Sequence, residues 1–185
     1  MVQEVYQNTE DKMQKAVIAL RKDLASLRAG RAAPSLLDKI TVEYYGALLP
    51  INQMANVSTP EPRVLLIQPW DKKAVSDIER AIQKSDLNLT PTSDGSVIRL
   101  SIPQLTEERR KELVKLSKKK AEEGRVAIRN IRRDANEELK RLEKNSDITE
   151  DELHKYQDEI QEITQRFINE VEKVLIAKEK EIMEV

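Results

Sequence analysis

Residues 27–35 read LRAGRAAPS, and inside this stretch one sequence pattern stops and a different one begins. Upstream, Val5, Met13, Ala16, Val17, Leu20, Leu24 and Leu27 recur at steps of three and four, which places apolar side chains on one face of a helix. Gly30 stands where that helix can end, because glycine takes the left-handed conformation of a C-terminal cap at no steric cost. Downstream, Pro34 is the first of seven prolines (Pro34, Pro50, Pro60, Pro62, Pro69, Pro91 and Pro103), all within residues 34–103. Proline lacks the N–H that a helix interior needs and clashes with the preceding turn. The two flanks can therefore form long helices and the middle cannot.

The C-terminal flank carries two further helical patterns. Thr106 is placed as an N-cap, with Glu107 and Glu108 at the positive end of the helix dipole, and the apolar stripe runs Leu113, Leu116, Ala121, Gly124, Ile128, Ile131, Ala135, Leu139, Leu142. The next helix starts at SDITEDEL (146–153), where Thr149 and Glu152 have capping-box spacing and Ile148 with Leu153 can staple across the cap. Its stripe continues through Leu153, Tyr156, Ile160, Ile163, Phe167, Val171 and Val174 to Ile182 and Met183. Each of these two helices should reach about 54 Å, for about 36 residues at roughly 1.5 Å of rise. Three long stripes bury one another most simply in an antiparallel three-helix bundle, built from residues 1–30 and 105–185.

Residues 31–104 read as a small inserted β-rich α/β domain, giving an α+β fold overall. KITVEYYG (39–46) alternates Ile40, Val42 and Tyr44 against Thr41, Glu43 and Tyr45; VLLIQ (64–68) and SVIRLSI (96–102) are further strands, with SDGS (93–96) as a turn. Asp71 can cap a short helix, with Trp70 and Val75 as its staple and Ile78, Ala81 and Ile82 on one face. An insertion joined to its host only through AGRAAPS and IPQLT is free to move. Gly30, Arg31 and Ala32 with Pro103, Gln104 and Leu105 form the expected hinge.

The chemistry of the chain excludes more than it proposes. Lys plus Arg (32) nearly balance Asp plus Glu (33) among 185 residues, but the balance is not local. Thr106–Asn145 holds 14 basic and 9 acidic residues, net +5, and Ser146–Val185 holds 5 basic and 12 acidic, net −7, so a basic and an acidic strip are expected. With no cysteine, disulfides and thiolate metal sites are unavailable, and no metal or cofactor is expected. The N-terminal MVQEVYQNTEDKMQK resembles neither a secretory signal nor an acid-poor transit peptide, and no apolar run approaches the roughly 20 residues of a bilayer span. A cytoplasmic protein without membrane contact is the expectation. The single histidine, His154, lies on a charged helix and reads as a surface residue; GxxxxGK[ST], GxGxxG and GxSxG motifs are missing. The carboxylates of TEDELHKYQDE (149–159) are accounted for by a capping box and a solvated face. Nothing recommends an enzyme.

The concentration of arginine in RVAIRNIRRDAN (125–136) does call for a reading. Arg125, Arg129 and Arg132 follow i, i+4, i+7 spacing, each one residue after Gly124, Ile128 and Ile131 of the buried stripe, so they form a row about a quarter-turn from the core. Arg133 points farther out; Lys111, Lys115 and Lys118 fall near the same row, Arg109 and Arg110 begin it, and Glu122 interrupts it. Two accounts compete. The row is a solvated face paired with the acidic third helix or with Asp134 and Glu137, or it grips a polyanion such as folded RNA, for which the planar guanidinium fork suits phosphate better than lysine does. Phosphate contacts would position the protein without reading sequence, because the row has no interleaved aromatics. Arg28 and Arg31 are a second basic candidate. A basic last turn before a glycine cap explains Arg28 and leaves Arg31 over. Tyr44, Tyr45 and Trp70 read as core or cover.

Four stretches in order, LRAGRAAPSLLD, VEYYG, PQLTEERRKEL and RVAIRNIRRDANEEL, closely resemble the bacterial ribosome recycling factor family over essentially the full length. One local departure is SDLNLTP, where Asn88 and Thr90 stand in place of the Gly and Asn common in the family; asparagine tolerates left-handed backbone better than most residues. The resemblance implies an L-shaped molecule and a translation factor, also called ribosome-releasing factor, that is not itself an enzyme. It implies that a monomer binds the post-termination ribosome and, with elongation factor G and that partner's GTP hydrolysis, splits the subunits. By the matching motif, Arg110, Arg129 and Arg132 would contact large-subunit ribosomal RNA, with Arg125 and Arg133 on the same helix face and Arg28 and Arg31 as further candidates. The competing class is a non-catalytic coiled-coil adaptor whose basic face serves only solubility.

Overall fold

The structure is a computed structural model and describes residues 1–184. Its helices and strands follow as α1 (Val2–Ala25), β1 (Thr41–Tyr44), β2 (Ala47–Pro50), β3 (Ala55–Glu61), β4 (Val64–Pro69), α2 (Val75–Lys84), β5 (Pro91–Ser93), β6 (Ile98–Ser101), α3 (Glu107–Lys144) and α4 (Glu150–Met183). They group into two compact units, Met1–Ala29 with the chain from Thr106 onward, and Gly30–Leu105. Gly30 and Leu105 thus belong with the smaller unit, one residue beyond the expected bounds on either side.

The larger unit is a three-helix bundle. One core cluster joins Met13, Val17, Leu20 and Leu24 of α1 to Ala121 and Ile128 of α3 and to Phe167, Val171 and Leu175 of α4. A second joins Val5 to Ala135, Leu139, Leu142, Ile148 and Ile160. The start of α1 therefore packs on the end of α3 and the start of α4, which makes α3 antiparallel to both neighbours. Both long helices start as their caps require. The Thr106 hydroxyl accepts from Arg109 N–H, while Thr149 and Glu152 exchange both capping-box hydrogen bonds. Gly124 faces Leu20 of α1, and a Cβ there would meet Leu20 Cδ2 in ordinary contact at 3.5 Å.

Polar residues occupy several stripe positions. Thr9 and Thr164 are buried with their hydroxyls donating to the carbonyls of Val5 (2.7 Å) and Ile160 (2.8 Å), which removes the cost of burying them. Ser117 takes the fully buried place beside the expected Leu116, and Leu175 is buried where Val174 was expected. Helix α1 stops at Ala25, capped by Ser26, whose N–H bonds to Lys22 O at 3.2 Å; Gly30 is not its cap. Gly30 instead has φ +75°, and a Cβ there would lie 3.0 Å from Leu105 Cγ.

In the smaller unit β1 and β2 form a hairpin, Thr41 facing Pro50 and Tyr44 facing Ala47. Its two turn residues, Tyr45 and Gly46, both take positive φ, as the tight hairpin twist demands. The four-stranded sheet has the order β3-β4-β6-β5, antiparallel throughout, with a register irregularity between Ser58 and Glu61 around Pro60. Leu65, Ile67, Ile98 and Leu100 of the sheet share a core with Val42, Ile78 and Ile82. Asp71 accepts from Lys73 N–H at 3.0 Å as expected, but the turn it opens is 3₁₀, Lys72–Ala74, before α2 begins. Its carboxylate also accepts from Tyr44 Oη at 2.5 Å, tying the hairpin to that turn. The hydrogen bond to Asp71 is the main reason the Tyr44 phenol is pushed up to about 12. Tyr45 (81% exposed) and Trp70 (63%) are surface residues, against the expectation of core or cover. Asn88 does adopt the left-handed backbone, φ +54°.

The first and last segments of this unit are anchored to one turn. Ala32 N–H donates to Pro62 O at 2.8 Å and Ile102 N–H to Arg63 O at 2.7 Å. Ala32, expected in the hinge, is thus held by the small unit's own backbone.

Candidate nucleic-acid interface

The arginine row lies on α3, but its members are not equivalent. Arg125 donates from Nε to Glu122 at 2.8 Å and from Nη1 to Glu172 on α4, and its side chain is only 17% exposed. Burial works against this charge, and the hydrogen bonds and charges of Glu122 and Glu172 outweigh it, holding the guanidinium above its ordinary pKa. Arg125, grouped by sequence with the candidate RNA-contacting face, thus clamps α3 to α4. The reason is geometric: a quarter-turn from the core is also where α3 faces the rim of its neighbour, and a side chain of this length reaches across.

Arg129, 41% exposed, donates to the other oxygen of Glu122 at 3.3 Å. Glu122 therefore serves two guanidiniums, and their hydrogen bonds hold its carboxyl below the usual carboxylate range. Further along, the partners change character. Arg132 Nη1 donates to the amide oxygen of Gln161 at 3.2 Å and Arg133 Nη1 to that of Asn130 at 3.5 Å. Neither forms an ion pair with a described residue, so both charges are held by neutral groups. Arg133 is exposed and Arg132 half-buried, its stem lying against the bundle.

At the beginning of the helix, Arg109 pairs with Glu112 at 3.0 Å and Lys111 with Glu107 at 3.5 Å, all on the surface. Such pairs are easily exchanged for other partners. Arg110 is half-buried, and its Nε has no hydrogen-bond partner among the described residues. Arg28 and Arg31 are both exposed, in the larger and smaller unit respectively. Lys115 and Lys118 are exposed close to the same helix face.

What the face can do chemically follows from that inventory. It presents guanidinium forks on a rigid rod, and those at Arg132 and Arg133 have no carboxylate competing for them. Phosphate oxygens are matching acceptors. Sequence reasoning located the row and missed Gln161, the neutral residue that leaves Arg132 uncompensated. The signal existed: among residues 158–162, Gln161 is an amide between carboxylates at Asp158, Glu159 and Glu162. Elsewhere, no group of three or more His, Cys, Asp or Glu among the described residues is arranged to hold a metal ion, and His154 is exposed. No described helix is long and apolar enough to cross a membrane.

Comparison with known proteins places this geometry in context. A family model described as ribosome recycling factor matches residues 20–183. The ribosome-recycling factors of Bacillus subtilis (strain 168) and Heliobacterium modesticaldum are 59% and 61% identical over 185 residues, each match covering 100% of both chains. A solution structure of the ribosome recycling factor superposes with a TM-score of 0.76 at 44% identity, covering 100% of this chain and 98% of that one. Another similar structure, with a TM-score of 0.65, 48% identity and 100% coverage of both chains, belongs to models for the T. thermophilus ribosome recycling factor and the E. coli elongation factor G bound to the E. coli post-termination complex. With the long bundle, the small antiparallel sheet and the arginine-bearing helix all matched along the whole chain, this protein belongs to the ribosome recycling factor family.

Proposed function

We propose that this protein binds the post-termination ribosome and, together with elongation factor G and that partner's GTP hydrolysis, separates the subunits. It acts as a cytoplasmic monomer without catalytic residues of its own. The bundle docks on large-subunit ribosomal RNA through Arg129, Arg132 and Arg133, with Arg110 and Arg28 extending the contact and Arg31 contributing from the smaller unit. The observation that carries the docking surface is the pairing of Arg132 and Arg133 with neutral amides. A charge held that way loses no ion pair when a phosphate arrives.

The chain passes between its two units at Ala29–Gly30 and at Leu105–Thr106. Because Ala32 and Ile102 are fixed to the Pro62–Arg63 turn, bending concentrates at Gly30 and Arg31 and at Pro103, Gln104 and Leu105. A stiff rod held on RNA by its phosphates then transmits force applied to the other unit.

Co-sedimentation with ribosomes at graded salt tests the docking. Arg132→Glu should weaken association at least tenfold at low salt, with unchanged helicity and a shallower salt dependence. Wild-type association by that variant would remove the proposal. For the hinge, a crosslink that rigidifies both connections should preserve association and slow subunit splitting; equal splitting rates would count against it.

A further inference from the structure

Lys178, on α4, is 7% exposed. Lysine is almost never this buried without a partner, because its ammonium is strongly hydrated and costly to remove from water. A methionine or leucine would fill the same space at no such cost. The ammonium has a definite target: Nζ donates to the backbone carbonyl of Leu27 at 2.8 Å and, more weakly, to Glu181 Oε2 at 3.5 Å.

Leu27 lies two residues beyond the end of α1, where carbonyls have no donor from a following turn. Its N–H bonds back to Leu24 O at 3.1 Å, and its side chain is half-buried against the core cluster of Met13, Leu20 and Leu24. Lys178 supplies the third constraint. The Leu27 carbonyl and the Arg28 N–H share one rigid peptide plane, so a bond to that carbonyl orients the backbone from which the exposed Arg28 departs.

We propose that Lys178 is a positioning residue for ribosome docking: by holding the Leu27 carbonyl it aims Arg28 at its phosphate. This rests on the reading that the bundle's arginines meet ribosomal RNA. A carbonyl held in the free protein spares docking the cost of ordering the backbone at Leu27–Arg28, which gives the buried lysine a use.

The test is ribosome co-sedimentation at graded salt with wild type, Lys178→Met, Arg28→Ala, the double variant and Lys178→Arg, with Arg132→Glu alongside. Lys178→Met should weaken association several-fold and reduce the slope of log affinity on log salt by about one, as Arg28→Ala does. The double variant should be no worse than either single one, and Lys178→Arg should recover much of the slope. A purely structural lysine would lower the melting temperature while leaving the slope at its wild-type value, and that result overturns the proposal. So does a loss that multiplies with that of Arg28→Ala. In the wild-type protein the Lys178 ammonium should give a slowly exchanging ¹⁵N resonance coupled to the Leu27 carbonyl carbon; without it the proposal falls, even if Lys178→Met fails to fold. Wild-type association by Arg132→Glu would instead sink the RNA reading itself.

Discussion

Arg125 and Arg132 sit seven residues apart on one face of α3, drawn from the same short motif, and the structure gives them opposite situations. Arg125 is wedged between Glu122 and Glu172 with 17% of its side chain exposed; Arg132 rests on an amide. Part of the difference lies on α3 itself, where Glu122 stands three residues before Arg125 and Arg129 three residues before Arg132, and part lies in the neighbour. Opposite Arg125 the third helix offers a carboxylate, and opposite Arg132 it offers Gln161. A run of arginines along a helix is therefore two devices in series, one that holds the bundle together and one whose charge no carboxylate of the bundle takes up.

Exchange experiments can break this distinction. The largest effect belongs to charge removal at the open end: Arg132→Met with Arg133→Met should reduce ribosome association by an order of magnitude or more and leave the melting temperature within about 2 °C, since each surface change of this kind falls within about 0.5 kcal/mol, or about 1–2 °C for a chain of this size. Arg125→Met should do the reverse. It removes two hydrogen-bonded ion pairs whose carboxylates are about half exposed and can return to water, so the loss is about 1 kcal/mol, or roughly 2–4 °C for a chain of this size. Ribosome association should stay within twofold. If Arg125→Met weakens association as much as the open-end pair, the division is wrong.

How far the sequence foretold this is best judged residue by residue. Helix starts were legible because capping is local: Thr106, Thr149 and Glu152 act within one turn of themselves. The helix end was not, since glycine marked a backbone close to Leu105 and the actual stop came at Ala25. Strands β2, β3 and β5 escaped because Pro50, Pro60 and Pro91 lie within them, at ends or a register irregularity where a missing N–H is tolerated. Buried Thr164, Ser117 and Lys178 broke the apolar stripe on paper. For the threonine and the lysine, the structure shows why that is tolerated, in bonds to the Ile160 and Leu27 carbonyls. On the arginine row, helical spacing gave the direction of each side chain; it could not give the residue waiting on the neighbouring helix, and that residue decides the role.

Acid sharpens the same contrast. Glu122 is held below its ordinary value by hydrogen bonds from Arg125 and Arg129. A carboxyl with a depressed folded-state pKa contributes stability that is complete above its unfolded value, near 4.5, and is lost as pH falls through the lower folded value. Melting temperature measured from pH 5 to pH 3 should therefore fall less steeply in Arg125→Met than in wild type. It should fall with the wild-type slope in Arg132→Met, whose partner does not titrate.

The smallest effect is the most discriminating. Glu122 takes one guanidinium from each device, Arg125 for the clamp and Arg129 for the open row, so Glu122→Gln should act on both with opposite signs. Neutralising it leaves Arg125 its second carboxylate, Glu172, and costs the bundle little. Arg129 loses its only described ion-pair partner, and the row loses its one interrupting negative charge. Ribosome association should tighten two- to threefold at low salt, with a steeper salt dependence. Unchanged or weaker association would mean that Arg129 belongs to the clamp, leaving Arg132 and Arg133 as the docking end of the row.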